Sequence, residues 1–359
     1  MMAKEERRQG RRTLVFPSKP VLAGAAAVVG EKEGQGPLRN WFDHVLEDDR
    51  MGQKTWEQAE SLMLSTAAEK AAERANLSLG EVDVLLAGDL LNQLMSSGFA
   101  ARGLDIPYLG IYGACSTMTE GLLLAAALVE AGYCRHALAA ASSHYCTAER
   151  QFRLPLEHGN QRPPAAQWTA TAAGAFVVSA AEAATGKAEA PSPEGAAPSV
   201  SIGLPCITCA TIGRVVDPGI TDSHQMGAAM APAAVDTLCT HFAETGRSPR
   251  DYDLILTGDL GLVGRQIFRD LMMKKGHRLD DRHEDCGAVY YGPCQDAHSG
   301  GSGCGCSASY YAGKVYKELL QGKYRRVFLM STGALMTTIS SQQGESIPGI
   351  AHGVAVEWV

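Results

Sequence analysis

The sequence has no excess of positive charge. Its 32 Lys and Arg residues are outnumbered by 39 Asp and Glu residues, which gives a formal net charge of −7. Domains that bind nucleic acid usually present a basic field, so this balance argues against a nucleic-acid partner. The main basic cluster lies at residues 4–12. We expect residues 1–12 to form a disordered basic tail, with weak attraction to an anionic membrane surface as the alternative.

Long apolar runs are also missing. No stretch resembles the apolar region of a secretory signal peptide, and none has the roughly 20 apolar residues that a membrane-spanning helix needs. We therefore expect a chain that reaches a membrane only through partner proteins.

The ten cysteines form neither a disulfide framework nor a metal motif. They are scattered along the chain, which favours reduced thiols. The close pairs Cys206/Cys209 and Cys304/Cys306 are about a hundred residues apart and lack His residues at the spacing of zinc ligands. We expect no cofactor or metal of the protein's own.

What the sequence does contain is a repeated strand. Residues 82–90 are a hydrophobic run that ends in Gly-Asp-Leu at Asp89, and residues 252–260 repeat that order and end in Gly-Asp-Leu at Asp259. Each run has the length and composition of a buried strand, and a candidate helix follows each. The repeat indicates two related halves in one chain.

A second unit is repeated as well. It consists of a Cys, a helix, a short basic turn and a strand, and it begins at Cys115 and again at Cys306. We infer an internal duplication of an α/β unit, with halves at 13–186 and 200–359. The Ala-, Pro- and Gly-rich stretch 187–199 between them is expected to be a surface loop insertion.

Cys115 lies at a turn between a predicted buried strand, 108–112, and a predicted helix, 117–131. Backbone N–H groups and the positive end of the helix dipole lower the pKa of a thiol at such a turn. The turn suits a nucleophile or the binding of an anion, and an inert packing Cys is the third possibility. In a duplicated α/β fold, equivalent strand ends lie close together, so Asp89, Asp259 and Cys306 are expected near Cys115.

A Cys at this turn in a duplicated α/β chain resembles the thiolase superfamily, which includes the thiolases and the ketoacyl synthases. The resemblance implies a five-layered αβαβα sandwich, usually dimeric, with Cys115 at the nucleophile position. Ser302 stands where thiolases carry a catalytic His, and residues 347–357 lack their second Cys. The strand end where ketoacyl synthases place a His contains Asp259 instead. The resemblance therefore implies a member of the fold without turnover.

Longer runs of residues point to one family within this superfamily. They lie at residues 86–93, 113–117, 141–144, 147–153, 230–234, 300–304 and 346–353. Over about residues 13–358 they closely resemble the stage V sporulation protein AD family of spore-forming Firmicutes. That resemblance implies a non-catalytic protein that binds dipicolinic acid, free or as its calcium chelate. It also implies a peripheral place at the inner membrane of the forespore, where the protein supports dipicolinate uptake with the other SpoVA proteins.

Dipicolinate is a small planar dianion, so its site needs N–H donors or cations, and oxygen ligands if calcium accompanies it. The candidate ligand-binding residues are Asp89, Asn92, Cys115, Ser116, His144, Arg150, Asp259, Ser302 and His352. The alternative for each Asp is a carboxylate that caps the next helix. For Arg150 and nearby Arg153 it is a solvated loop or a salt bridge, and for each His it is a hydrogen-bonded core residue.

Two other functions remain open at this point. One is an active thiolase-type or ketoacyl-synthase-type acyltransferase that uses Cys115, with His144 or His352 replacing the missing base. The other is a purely structural partner whose pocket binds nothing. Strand 108–112 can also lie beside a twofold axis and extend the sheet between the subunits of a homodimer.

Overall fold

The computed structural model describes residues 7–152, 162–184 and 203–358. The elements of the first half, in chain order, are β1 Arg8–Gln9, β2 Thr13–Val15, β3 Val21–Val29, α1 Glu31–Gly34, β4 His44–Val45, α2 Trp56–Arg74, β5 Val84–Gly88, α3 Met95–Leu104, β6 Tyr108–Gly110, α4 Thr117–Glu130, β7 His136–Ser143, α5 Tyr145–Phe152, β8 Trp168–Thr169 and β9 Ala172–Ser179.

The second half repeats much of this order. Its elements are β10 Cys206–Thr211, α6 Met226–Thr245, β11 Leu254–Thr257, α7 Gly261–Lys274, β12 His283–Asp285, α8 Cys286–Tyr290, β13 Gly301–Ser302, α9 Cys304–Tyr310, a π-helical turn Tyr311–Val315, α10 Tyr316–Leu320, β14 Arg326–Ala334, α11 Thr338–Gln342 and β15 Gly349–Glu357.

The two halves share one strand order. The first runs β6-β5-β7-β9-β3 from its edge inward, and the second runs β12-β11-β14-β15-β10. In each half the first three strands are parallel and the fourth is antiparallel to both of its neighbours. The innermost strands, β3 and β10, meet where Val21 pairs with Cys206. This symmetry is what an internal duplication predicts.

Helices and sheets stack in five layers. Helices α4 and α9 lie between the two sheets, because α4 contacts both β7 and β15, and α9 contacts both β9 and β14. Helix α2 covers the outer face of the first sheet and α6 that of the second. The apolar residues accordingly form a central cluster and two outer ones. The five-layered α/β sandwich predicted from the thiolase resemblance is confirmed.

Most of the predicted elements are present, but the strand before Cys115 differs. The run 54–76 contains α2, whose first turn is capped by Thr55 through the N–H of Gln58, and the run 117–131 contains α4. The expected buried strand 108–112 is only Tyr108–Gly110, and Leu109 is 50% exposed. The reason is its place at the edge of the sheet, where within the described chain it pairs with β5 alone.

The basic segment is folded as far back as the structure describes it. Arg8 and Gln9 pair with β2, and Glu244 accepts backbone hydrogen bonds from Arg11 and Arg12. The Arg12 guanidinium also pairs with Asp236 at 2.6 Å. The expected disordered tail is therefore wrong for residues 7–12, because acidic groups of α6 hold the segment. Residues 1–6 and the predicted loop insertion 187–199 lie outside the described residues.

Candidate functional site

The turn that carries Cys115 is held from several sides. Ser116 donates from Oγ to the carbonyl oxygen of Gly113 at 2.6 Å, and Thr117 donates to that of Ala114 at 2.7 Å. Ala114 has a φ of 49°, a strained value for a residue with a side chain. Gly333 of β14 passes so close that a Cβ there would lie 2.3 Å from the Gly113 carbonyl oxygen. The second half therefore buttresses the turn of the first.

Cys115 is a buried thiol next to a carboxyl group. It is 5% exposed, and its side chain lies close enough to that of Asp259 for the two to interact electrostatically. Burial, together with the negative charge of Asp259, raises the pKa of Cys115 well above its usual value. The expected lowering by the helix dipole is wrong, because loss of water and an adjacent acid outweigh it.

Asp259 is the acidic group of this site. It is fully buried, and its two oxygens accept hydrogen bonds from Thr332 Oγ1 at 2.9 Å and from the Gly303 N–H at 3.1 Å. Burial raises the pKa of Asp259 to about 7, although these hydrogen bonds oppose the shift. Asp259 therefore exchanges a proton near neutral pH beside the Cys115 thiol.

The glycine-rich turn of the second half forms the opposite wall. Ser302 lies in β13, which pairs with β8, and its side chain is buried. Gln167 donates from Nε2 to the carbonyl oxygens of Asp259 and Gly301, each at 2.7 Å. Gly303 has a φ of 93° and lies against Ser143, where a Cβ would come within 2.6 Å of the Ser143 Oγ. A glycine is therefore required where the turn meets β7.

A narrow apolar pocket opens beside Cys115 and Ser302. The other lining residues are Leu90, Tyr112, Ala114, Ala148, Phe152, Thr169, Met226, Ala334 and Met336. The cavity volume is about 30 Å³, which is room for about two water molecules. None of the described residues that line it carries an imidazole or a positive charge. The described lining therefore offers a bound molecule apolar surface, two hydroxyl groups of Ser302 and Thr169, a phenol and a thiol.

Asp89, Asn92 and Ser116 do not line this pocket. Asp89 accepts from the N–H groups of Leu91 and Ser97 and from the Ser97 hydroxyl, each at 2.7 Å, so it ties the end of β5 to α3. Asn92 is exposed on the outside of that connection. Ser116 is committed to the Cys115 turn. The helix-capping alternative for Asp89 fits this geometry better than ligand contact.

His144 and His352 each form hydrogen bonds outside the pocket. The N–H of Cys146 donates to His144 Nδ1 at 3.2 Å, so Nε2 carries the proton and donates to the Asp49 carbonyl oxygen at 3.1 Å. His352 Nδ1 accepts from the Gly213 N–H at 3.2 Å. Burial lowers the pKa of both rings, that of His352 to about 4. Neither ring reaches the pocket as a substitute base.

Arg150 also lies outside the pocket. It forms an ion pair with Glu57 of α2, and its side chain is 54% exposed. The salt-bridge alternative fits this contact. Arg153 lies outside the described residues. The structure thus brings Cys115, Asp259 and Ser302 together and leaves the other candidates at separate positions.

Asp285 and Glu60 are among the buried carboxyl groups that the sequence reasoning missed. Asp285, at the end of β12, accepts hydrogen bonds from the N–H groups of Leu260 and Gly261, each at 2.9 Å. The strand-end rule that selected Asp89 and Asp259 could have found it. Glu60 lies inside α2, accepts hydrogen bonds from Ser142 and Thr147, and has its pKa raised to about 8 by burial. No sequence signal distinguishes Glu60 from the exposed glutamates of that helix.

Solved structures of low sequence identity share this fold. A variant of OleA from Xanthomonas campestris superposes with a TM-score of 0.60 at 15% identity, covering 96% of this chain and 99% of that one. A 3-oxoacyl-[acyl-carrier-protein] synthase III from Aquifex aeolicus gives 0.55 at 13% identity, covering 94% of this chain and 100% of that one. Similarity at this level establishes the fold alone.

Sequence comparison establishes the family. The model of stage V sporulation protein AD (SpoVAD) matches residues 10–357. Stage V sporulation protein AD of Bacillus subtilis (strain 168) is 44% identical over 348 residues, which cover 97% of each chain. This agrees with the resemblance carried by the runs around Asp89, Cys115 and Ser302. The chain belongs to the stage V sporulation protein AD family, and its fold is that of the thiolases.

Proposed function

We propose that this sporulation protein binds dipicolinic acid, free or as its calcium chelate, and supports its uptake into the developing spore without catalytic turnover. The observation that carries the proposal is the Cys115–Asp259 pair. A condensing enzyme needs a thiolate and a base or oxyanion donor at the same place. Here a carboxyl group faces the thiol and burial raises the pKa of Cys115, so the thiolate that a nucleophile needs is disfavoured.

The pocket must widen to admit this ligand. Its volume of about 30 Å³ is smaller than a pyridine ring with two carboxyl groups. Met226, Met336 and Phe152 line it, and methionine side chains change rotamer at small cost. Their movement opens a flat apolar slot between the Cys115 turn and Ser302, which suits a planar aromatic ring.

The charge of Asp259 then decides which form binds. An ionised Asp259 repels a dianion, whereas a protonated one donates a hydrogen bond to it. Calcium removes the repulsion in another way, because carboxylate oxygens are its preferred ligands. The pKa of Asp259, raised to about 7, makes both routes accessible near neutral pH.

The partners follow from the same proposal. The other SpoVA proteins are the proposed partners, and the proposed location is peripheral, at the inner membrane of the forespore. Within residues 7–152, 162–184 and 203–358, no helix is long and apolar enough to cross a membrane. A second copy of this chain is the proposed neighbour of β6, whose outer edge has no strand partner within the described chain. Leu109 and Tyr112, 50% and 42% exposed, would be buried by that pairing.

Isothermal titration calorimetry of dipicolinate tests the proposal at pH 6 and pH 8, with and without calcium. We expect binding to the wild type and a loss of at least tenfold in affinity for Cys115→Phe, which fills the pocket. Asp259→Asn separates the two forms: it strengthens binding of the free dianion and weakens binding of the calcium chelate. Asp89→Asn is the matched control, since it changes the repeated Gly-Asp-Leu outside the pocket.

Two results would contradict the proposal. One is the absence of binding heat and of competition by dipicolinate under all four conditions. The other is turnover of an acyl thioester that disappears in Cys115→Ala, which would establish the acyltransferase alternative.

A further inference from the structure

A second pocket lies away from Cys115, at the opposite end of β14. Its volume is about 270 Å³, and its walls come from the β2–β3 connection, β10 and the end of α6. Arg326 begins β14 near this pocket and Thr332 near its other end contacts Asp259. Six residues of strand separate them, or about 20 Å. The two pockets are therefore distinct.

Arg247 presents a fixed positive charge to this pocket. Its Nη1 pairs with Glu357 Oε1 at 2.7 Å and donates to the Tyr252 hydroxyl at 2.9 Å. Among the described residues, every side-chain hydrogen bond and ion pair of Arg247 uses Nη1, and the side chain is 24% exposed. Because Nη1 is held by Glu357 and Tyr252, the guanidinium has a fixed orientation. Its Nε and Nη2 N–H groups can then donate two parallel hydrogen bonds to an oxyanion.

Lys19 supplies a second positive charge. It lines the same pocket, and no ion pair or side-chain hydrogen bond to another described residue occupies its ammonium group. Its backbone φ of 52° holds the residue in a tight turn after Pro17, and its N–H donates to the Phe16 carbonyl oxygen at 2.9 Å. The turn therefore positions the base of this side chain at the pocket rim.

Two acidic side chains near this pocket, those of Glu357 and Asp251, already have hydrogen-bond or ion-pair partners. Glu357 accepts hydrogen bonds from Thr208 at 2.6 Å and from Arg326 at 2.7 Å, besides its pair with Arg247. Asp251 is committed to the N–H and hydroxyl of Ser248. Among the described residues that line the pocket, Lys19 and Arg247 are the charged ones, and both are positive.

The equivalent strand pair in the first half has different side chains. The register pairs His136 with Ser179 there, as it pairs Arg326 with Glu357 in the second half. His136 and Ser179 form a hydrogen bond of 2.8 Å, and burial lowers the pKa of the ring, so the pair is neutral. The fold therefore does not require charged groups at this position.

We propose that this second pocket binds a small molecule with an oxyanion, a carboxylate or a phosphate, attached to an apolar body. Arg247 and Lys19 take the anionic group, and Val15, Phe16 and Pro17 take the body. The proposal is independent of dipicolinate binding beside Cys115, because it concerns other residues.

Saturation-transfer NMR titrations of the full chain with benzoate, phenyl phosphate and neutral benzamide test it. We expect at least one of the two anions to bind and benzamide to bind at least tenfold more weakly. Lys19→Gln should weaken the anion at least fivefold, while Lys54→Gln, which removes the same charge from an exposed site elsewhere, should not. Arg247→Lys keeps a positive charge beside Glu357 but removes the planar guanidinium, and it should weaken binding of the anion further.

The temperature of unfolding of each variant shows whether the fold is intact, and Lys19→Gln decides the test if Arg247→Lys is destabilised. Binding of neither anion, or equal binding of benzamide, would overturn the proposal. So would equal effects of Lys19→Gln and Lys54→Gln, because the positive charge would then act only through the protein's net field.

Discussion

The same three residues, Gly-Asp-Leu, end a central strand in each half, yet the two carboxyl groups do different things. Asp89 turns toward the connection to α3 and accepts three hydrogen bonds from Leu91 and Ser97. Asp259 turns into the space between the sheets and contacts the Cys115 thiol. Identical local sequence therefore gives one carboxyl group that ties β5 to α3 and one that faces Cys115.

The difference comes from a third carboxyl group. Asp285 accepts the N–H groups of Leu260, Gly261 and Ala288, each at 2.9 Å, and so fixes the start of α7. This is the task that Asp89 performs in the first half. Because Asp285 satisfies those donors, Asp259 is free to face Cys115.

The largest expected effect is on stability. Asp285→Ala leaves the buried N–H groups of Leu260 and Gly261 and the half-buried one of Ala288 without their acceptor. Asp89→Ala does the same to the donors of Ser97 and Leu91. We expect each to lower the free energy of unfolding by about 3 kcal/mol or more. Asp259→Ala loses only Thr332 and Gly303 as partners, and we expect a loss of about 1 kcal/mol.

Urea denaturation at fixed protein concentration measures all three variants. The matched changes to Asn, which keep one acceptor oxygen, should restore part of the loss at Asp285 and Asp89. If Asp259→Ala proved the most destabilising of the three, the division of tasks between the two halves would be wrong.

Most of the fold could be predicted from the sequence because its signals are repeated. The copies of the strand ending at Asp89 and Asp259, and of the Cys-helix-strand unit at Cys115 and Cys306, fix a symmetric strand order. The apolar surface of residues 117–131 predicts a helix buried between layers, and α4 lies there. The short length and the exposure of β6 were missed, since its apolar residues have the composition of a buried strand.

The site was less predictable. Position at a strand end predicted that Cys115 and Asp259 lie close together, and they do. The direction of a side chain, however, depends on which neighbour takes the local N–H donors. That competition involves Asp285, distant in sequence, so the pattern around Asp89 could not reveal it. The pKa of Cys115 was missed for a related reason: the helix dipole is a local signal, whereas burial against Asp259 is a tertiary one.

The sheet edges extend the comparison. In the second half β12 is protected by charge, since Arg269 donates to His283 and Arg265 pairs with Glu284 at 2.7 Å. In the first half β6 exposes Leu109, and Phe99 nearby is 45% exposed. Charged edges discourage pairing with another chain, whereas apolar ones promote it. Only the first half is therefore expected to form the subunit contact.

Leu109→Lys tests this difference. We expect a dimer in the wild type, and a rise of at least a hundredfold in the dissociation constant of the variant, because two like charges would meet across the twofold axis. Sedimentation equilibrium measures both, and Val263→Lys on the exposed surface of α7 is the control. A monomeric wild type, or an unchanged dimer in Leu109→Lys, would rule out pairing along β6.

Asp259→Asn should activate the thiol that Asp259 suppresses. Removing the negative charge lowers the pKa of Cys115, although burial keeps it above the usual value. We expect the midpoint of the pH dependence of alkylation to fall by about one unit, equivalent to a tenfold gain in thiolate. Iodoacetamide labelling followed by mass spectrometry of the Cys115 peptide measures it. Asp89→Asn should leave the midpoint unchanged, and an equal shift in both variants would show that Asp259 has no special role.

The same variant should change how stability depends on pH. Because the pKa of Asp259 is about 7 when folded and 3.8 is its ordinary value, the folded state holds this proton while the unfolded state releases it. The stabilising contribution is present below the lower value and is lost as pH rises toward 7. Between about pH 4.5 and 6.5 the free energy of unfolding of the wild type should fall by about 1.4 kcal/mol per pH unit more than that of Asp259→Asn.

Glu33, Glu60 and Asp285 also have raised pKa values, but they contribute equally to both proteins. Urea titrations across this range measure the difference; parallel curves would mean that Asp259 is already ionised in the folded protein, and that the Cys115 pocket is permanently negative.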